Sequence, residues 1–125
     1  MGKSKSTLPG NTARNVMDQK DPNEQLRLHI NVTGRVQGVG FRAFVLETAK
    51  QAELTGWVRN LGYDQVETMA EGPRSRLEWF AEQLKAGPLG GRVDQAIIDW
   101  EAWIGEFSSF VVRSSRKFAV HYAHI

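Results

Sequence analysis

The chain of 125 residues contains no cysteine. Disulfide bonds, thiolate metal sites and cysteine nucleophiles are therefore excluded. Its only histidines are His29, His121 and His124, and they form no recognisable metal-binding motif. We accordingly expect no metal site.

Long apolar segments are also missing. No window approaches the roughly 20 apolar residues that a membrane-spanning helix needs. The N-terminal region lacks the apolar core of a secretory signal. With 41% hydrophobic and 24% charged residues, the composition is that of one globular domain. These features predict a cytoplasmic protein that does not act at a membrane.

A concentrated basic region is absent from the main part of the chain. The net charge is +2, and residues 1–20 contribute four basic residues and one acidic residue, which is +4 − 1 = +3. The rest of the chain therefore carries 2 − 3 = −1. Proteins that bind a phosphate backbone usually show a basic face, so we expect no nucleic-acid partner.

The pattern divides the chain into three parts. Residues 1–24 show no sustained hydrophobic period and predict a flexible leader. Residues 25–113 show the pattern of a folded domain. Residues 114–125 predict a C-terminal extension, whose alternation is compatible with an edge strand, an exchange with a neighbouring chain or a frayed end.

The folded part alternates strand and helix patterns. Alternation from Leu26 to Val32 predicts a strand, and helical spacing from Phe41 to Ala52 predicts a helix that Gly56 ends. Further strands are predicted at "WVRN", "QVETMAEG", "RVDQAIIDWEAW" and "FSSFVVR", and a second helix at "PRSRLEWFAEQLKAG". The order β-α-β-β-α-β with one more short strand predicts an α+β, ferredoxin-like split β-α-β fold. Such a fold has an antiparallel sheet with two helices on one face and the other face open to water.

His29 belongs to the first predicted strand. The alternation places it on the face opposite Leu28 and Ile30, which should face the helices. We interpret it as an exposed strand residue rather than a catalytic group.

The stretch "GRVQGVGFR" joins the first strand to the first helix. Its glycines, Gly34, Gly38 and Gly40, allow a ligand to approach the backbone closely. The helix N-terminus that follows has unpaired N–H groups and a partial positive charge, which suit an anion. Arg42 lies in the first turn, where a cation is disfavoured by the helix dipole. A structural turn is the alternative, but this misplaced charge favours an anion site.

Asn60 marks the end of the second predicted strand, in "GWVRN". An amide at this position often satisfies the backbone of a turn. In a split β-α-β fold, however, the end of this strand and the glycine loop can converge at one end of the sheet. Asn60 could then hold a water molecule beside a bound phosphoryl group.

These two motifs, followed by "KAGP", resemble the acylphosphatases, small enzymes that hydrolyse carboxyl-phosphate bonds. The resemblance extends from Leu26 to Arg113. It implies a ferredoxin-like fold, hydrolysis of a small-molecule acyl phosphate to a carboxylate and inorganic phosphate, and no metal or organic cofactor.

Residue by residue, the resemblance implies that Arg42 binds the phosphoryl group and that Asn60 orients the attacking water. It also implies a cradle of loop amides around the phosphoryl oxygens. The predicted phosphate-binding set is Gln37, Gly38, Val39, Gly40, Phe41 and Arg42.

The hairpin after Asn60 departs from the family pattern. Family members usually carry Asp-Gly there, whereas this chain has Tyr63-Asp64 and an earlier Gly62. Tyr-Asp suits a type I′ turn poorly, which bears directly on the placement of Asn60.

Alternative functions stay open on the sequence alone. The same scaffold could be a non-catalytic phosphate-binding or interaction module. Related domains also occur within larger maturation enzymes that handle carbamoyl phosphate. A binder of single-stranded nucleic acid ranks last, because the polar side of the first strand carries no aromatic residue. A monomer is expected.

Overall fold

The computed structural model describes residues 20–117. The leader up to residue 19 and the extension beyond residue 117 lie outside the described residues. The elements are β1 (Gln25–Arg35), α1 (Phe41–Gln51), β2 (Thr55–Leu61), β3 (Gln65–Pro73), α2 (Arg74–Ala86), β4 (Arg92–Ala102) and β5 (Phe110–Val112). Among these residues, no helix has the length and apolar character needed to span a membrane.

The five strands form one sheet in the order β4-β1-β3-β2-β5. Neighbouring strands are antiparallel, except that the short β5 runs parallel to β2. Two helices accompany this sheet, so the predicted α+β, ferredoxin-like fold is confirmed.

The core lies between the two helices and one face of the sheet. Leu28, Ile30 and Val32 of β1 are buried there, as the alternation predicts. Phe80 of α2 packs edge-on against Phe110 of β5 at 6.1 Å between ring centroids. Each such side chain contributes about 1.5–3 kcal/mol when fully buried.

The end of α1 differs from the prediction. Gly56 does not end the helix, because Glu53 already takes the left-handed conformation with φ 56° and Leu54 N–H donates to the Ala49 carbonyl. Gly56 instead lies in β2, where a Cβ atom would stand 1.9 Å from the carbonyl oxygen of Met69. Its role is therefore close strand packing.

The described chain makes ordered contacts beyond both predicted domain boundaries. At the start, the carbonyls of Pro22 and Glu24 accept hydrogen bonds from the Ser75 and Arg74 N–H groups that open α2. At the end, Arg116 forms an isolated parallel bridge with Leu61. Pro22, Glu24 and Arg116 thus make backbone contacts with the folded domain.

The outer face, meaning the sheet face away from the helices, is partly covered rather than fully open to water. Because β4 and β5 are opposite edges, the segment 103–109 that joins them crosses this face. Glu71, which is only 2% exposed, accepts hydrogen bonds from the Ile104 and Gly105 N–H groups at 2.9 and 3.1 Å. Arg27 pairs with Glu106 and lies over the ring of Phe107, so residues 104–107 of the crossing segment are held against the outer face.

His29 also lies on the outer face, as predicted, but it is half-buried rather than exposed. Its Nε2 is 2.7 Å from a carboxylate oxygen of Glu67, and Arg59 pairs with the same carboxylate. The hydrogen bond to Glu67 raises the pKa of His29. The same bond, with help from Arg59, lowers the pKa of Glu67. The alternation within β1 could not reveal this ion pair, because Glu67 and Arg59 lie on other strands.

Candidate active site

A cavity of about 410 Å³ opens between the start of α1 and the end of β2. It brings together Arg42 and Asn60, the two side chains that the sequence singled out. Its described lining residues are Val36, Gly38, Gly40, Phe41, Arg42, Ala43, Leu46, Asn60 and Val112. Arg42 is the one charged residue among them, which makes the pocket cationic.

The loop before α1 owes its shape to two glycines. Gly38 and Gly40 have φ angles of 74° and 76°, in the left-handed region that other residues rarely adopt. A Cβ atom at either position would meet no atom within 4 Å. Packing therefore does not require glycine here. Glycine is required by the positive φ angles instead, and the space beside both residues is open to a ligand.

The first turn of α1 has unsatisfied donors. Gly40 is the N-cap and has no side chain to cap the helix, and no acidic residue lies in the first turn. The first intrahelical bond runs from Phe44 N–H to the Gly40 carbonyl at 3.0 Å. The N–H groups of residues 41–43 precede it and have no acceptor within the helix. With the helix dipole they create a positive potential at the pocket.

Arg42 adds a full positive charge at the same end of the helix. Its side chain is half-buried, and no carboxylate of residues 20–117 forms a salt bridge with it. Five of the other described arginines do pair with carboxylates, namely Arg27, Arg59, Arg74, Arg76 and Arg92. The guanidinium of Arg42 is thus left to face the pocket, where its planar fork matches a phosphoryl group.

Asn60 reaches the pocket from β2. It lies opposite Val66 of β3, and its carbonyl accepts a hydrogen bond of 2.9 Å from Arg116 N–H on the other side. Its backbone is therefore held on both sides, by β3 and by Arg116. The contribution of Arg116 was not predicted, because a single parallel bridge leaves no periodic signal in the sequence.

The unusual hairpin keeps Asn60 in a regular strand. Leu61 pairs with Gln65, so residues 62–64 form the turn. Gly62 takes the left-handed conformation with φ 63°, whereas neither Tyr63 nor Asp64 has a positive φ. Tyr63 is 95% exposed and points into solvent. The shifted glycine thus accommodates the turn without a type I′ conformation at Tyr63-Asp64.

Gln37 ties the glycine loop to this hairpin. Its side-chain amide lies 3.4, 3.1 and 2.9 Å from the carbonyl oxygens of Leu61, Gly62 and Gln65, to which it donates. Neither Gln37 nor Val39 belongs to the described lining of the cavity, and Val39 packs against the core. The side chain of Gln37 therefore positions the two halves of the site, a role that sequence reasoning missed.

Fold and pocket together define a small ferredoxin-like α+β protein with a cationic pocket at the start of its first helix. A sequence profile of the acylphosphatase family matches residues 28–112, more than half of the chain. The chain belongs to the acylphosphatase family. The family and the fold predicted from the sequence are thereby confirmed.

Individual relatives agree with this assignment. The chain is 49% identical over 88 residues to an acylphosphatase of Syntrophotalea carbinolica, a match that covers 70% of this chain and 96% of that protein. The crystal structure of acylphosphatase from Bacillus subtilis superposes with a TM-score of 0.68 and 38% identity, covering 70% of this chain and 98% of that one.

A much longer protein contains a similar segment. The crystal structure of full-length HypF in its phosphate- and nucleotide-bound form matches with a TM-score of 0.67 and 28% identity. The match covers 74% of this chain but only 12% of HypF. A likeness to part of a longer protein is therefore also found.

Proposed function

We propose that this protein hydrolyses acyl phosphates, releasing a carboxylate and inorganic phosphate. The observation that supports this best is the meeting of Arg42, the amides that open α1 and Asn60 in one pocket without a carboxylate among its described lining residues. Such a pocket suits a dianionic phosphoryl group, and the family membership points to the acyl phosphate as substrate.

The phosphoryl oxygens would be held at the helix start. We assign this binding to the backbone amides of residues 37–41 and to the guanidinium of Arg42. Gln37 and Val39 take part through their N–H groups, since their side chains are engaged elsewhere. Amides fixed by a helix and a glycine loop need no rearrangement as charge develops, which is the usual source of electrostatic stabilisation in catalysis.

The reaction needs an attacking water and a leaving carboxylate. The amide of Asn60 orients the water, whose oxygen forms a bond to phosphorus while the bond from phosphorus to the acyl oxygen breaks. The electron pair of that bond leaves on the carboxylate, and the proton of the water passes to solvent. A carboxylate has a conjugate acid of pKa about 4, so positioning and charge stabilisation suffice without a strong base.

The same proposal includes turnover without a metal or organic cofactor. Within residues 20–117, no three His, Cys, Asp or Glu side chains are grouped in a way that could hold a metal ion. The pocket donors are amides, a guanidinium and a carboxamide, which are chemically matched to an anion. We propose in addition that the protein is a cytoplasmic monomer that acts on small molecules rather than nucleic acid.

Steady-state hydrolysis of benzoyl phosphate in excess EDTA, with inorganic phosphate as competitor, tests the proposal. We expect turnover that survives chelation and is inhibited by phosphate. Arg42→Ala should lower kcat/KM by about 100-fold or more, and Arg42→Lys should restore only part of it, because it keeps the charge but not the fork.

Lys50→Ala is the matched control, since Lys50 lies in the last turn of the same helix. It removes the same charge far from the pocket and should leave kcat/KM nearly unchanged. No hydrolysis by a folded chain that still binds phosphate would indicate a non-catalytic anion-binding module instead.

A further inference from the structure

The pocket is larger and more apolar than a phosphoryl group requires. Its volume of about 410 Å³ falls within the roughly 300–1,000 Å³ of pockets that hold a whole small molecule. Beside Arg42 and Asn60 it is lined by the apolar side chains of Ala43, Leu46 and Val112. These three have no part in the chemistry proposed above.

Two of these side chains come from the same helix as Arg42. Leu46 follows Arg42 by four positions on α1, and Ala43 precedes Leu46 by three, so all three residues share one side of the helix. Leu46 is half-buried and Ala43 is exposed. An apolar surface therefore begins directly next to the cation.

The third side chain comes from the edge of the sheet. Val112 pairs with the buried Val58 of β2, two positions before Asn60, and residues that pair in a sheet point to the same face. Val112 is 44% exposed, so it presents apolar surface on the side of the sheet where α1 and Asn60 lie.

We propose that Leu46, Ala43 and Val112 form a subsite for the acyl group of the substrate and select acyl phosphates with an apolar acyl group. This proposal rests on the proposed function. The acyl group is the expected occupant, because it is covalently attached to the phosphoryl group that Arg42 holds and therefore enters the same cavity. An aryl or branched alkyl group gains by covering these side chains, whereas a short or charged acyl group does not.

The chain offers a matched pair of variants for the test. Val111 and Val112 are neighbours on β5 with exposed fractions of 45% and 44%. Val111 pairs with Trp57 and therefore points to the outer face, and it does not line the pocket. Val→Thr keeps the shape and the strand propensity of each residue and changes only its polarity.

The experiment measures kcat/KM for benzoyl phosphate and for acetyl phosphate with the full chain. Val112→Thr should lower the value for benzoyl phosphate roughly five- to twenty-fold and that for acetyl phosphate less than about two-fold. Leu46→Ala, which keeps a good helix former, should act in the same direction. Val111→Thr should change neither value.

Three results would overturn the subsite. Native values of kcat/KM for both substrates in Val112→Thr and Leu46→Ala would show that the acyl group lies elsewhere. Equal losses for both substrates would assign these residues to the common phosphoryl step or to the fold. A native chain that hydrolyses neither substrate would contradict the proposed function itself and the subsite with it, and is thus distinguishable from the other two.

Discussion

The side-chain amide of Gln37 donates a hydrogen bond of 2.9 Å to the carbonyl oxygen of Gln65, the first residue of β3. Gln37 belongs to the glycine loop, whereas Gln65 pairs with Leu61, the neighbour of Asn60. The contact therefore links the loop that opens α1 to the hairpin that presents Asn60. It thereby joins two motifs that are separated in sequence.

Replacing Gln37 by methionine should separate water placement from phosphate binding. Gln37→Met keeps the length of the side chain but removes its donors, so the hairpin carbonyls lose a partner. We expect kcat to fall about ten-fold, while the inhibition constant of inorganic phosphate changes less, because Arg42 and the loop amides stay in place. Loss of these partly buried hydrogen bonds should also reduce the free energy of unfolding by about 1–3 kcal/mol.

Gln51→Met is the control for this change, because Gln51 is exposed at the other end of α1. It should alter neither kcat nor stability appreciably. A Gln37→Met enzyme with normal kcat and reduced stability would assign Gln37 a purely structural role.

Substitutions of Asn60 should distinguish a water-orienting amide from a phosphate ligand. Asn60→Ala removes the amide and should depress kcat about 100-fold, with little change in the inhibition constant of phosphate. Asn60→Asp keeps the shape but places a carboxylate next to the phosphoryl site, so it should weaken phosphate inhibition as well. If Asn60→Ala weakened phosphate inhibition and left kcat unchanged, Asn60 would belong to the cradle.

Glu71 is predicted to stabilise the fold without affecting the pocket. Its carboxylate accepts hydrogen bonds from the Ile104 and Gly105 N–H groups on the outer face. Glu71→Ala should lower the free energy of unfolding by about 1–3 kcal/mol in urea denaturation, because two N–H groups lose a charged acceptor that is itself buried.

The exposed Glu101 on the adjoining part of the outer face provides the comparison. Glu101→Ala should cost about 1 kcal/mol or less. The kcat of both variants should stay near that of the native chain, and a strong loss of kcat in Glu71→Ala would contradict a role confined to the outer face.

The pair formed by His29 and Glu67 predicts a pH-dependent stability. The pKa of His29 is raised by its bond to Glu67 and further by Glu101 and Asp99. The stabilisation that protonated His29 gives the fold is therefore complete below the ordinary pKa of 6.5, and it is lost as the pH rises through the raised pKa. The pKa of Glu67 is lowered. The stabilisation that ionised Glu67 gives the fold is therefore complete above the ordinary pKa of 4.5, and it is lost as the pH falls through the lowered pKa. Both contributions are therefore complete between pH 4.5 and 6.5.

His29→Gln should accordingly lower the free energy of unfolding most within that window and least in alkaline solution. Urea denaturation of the native chain and the variant across pH measures the difference. Glu67→Gln should remove most of the same pH dependence, since it takes away the partner. A difference between His29→Gln and the native chain that stays constant with pH would contradict the ion pair.

Much of the fold could be predicted because the relevant signals are local. Alternation in β1 and the apolar stripes of both helices follow directly from which residues face the core. The end of α1, however, was predicted wrongly from such local signals. Gly56 was the obvious helix stop, but Glu53 adopted the left-handed conformation, and the glycine was needed three residues later against Met69.

The site likewise contains features that local sequence signals reveal and features that they do not. Arg42 was recognisable because a cation in the first turn of a helix conflicts with the dipole, and such a conflict indicates function. The bonds of Gln37 to the hairpin and of Arg116 to Asn60 were not recognisable. Both depend on which segments become neighbours in the sheet, and a short parallel edge strand carries no periodic signal of its own.

Binding of the phosphoryl group at the start of α1 is tested by mapping where inorganic phosphate binds. Amide chemical shifts of the 15N-labelled chain would be followed by NMR during a phosphate titration, with Arg42→Ala and Lys50→Ala alongside. We expect the largest saturable shifts at residues 37–42, their loss in Arg42→Ala and their retention in Lys50→Ala. Saturable shifts centred elsewhere, or undiminished binding by a folded Arg42→Ala chain, would contradict binding at the start of α1.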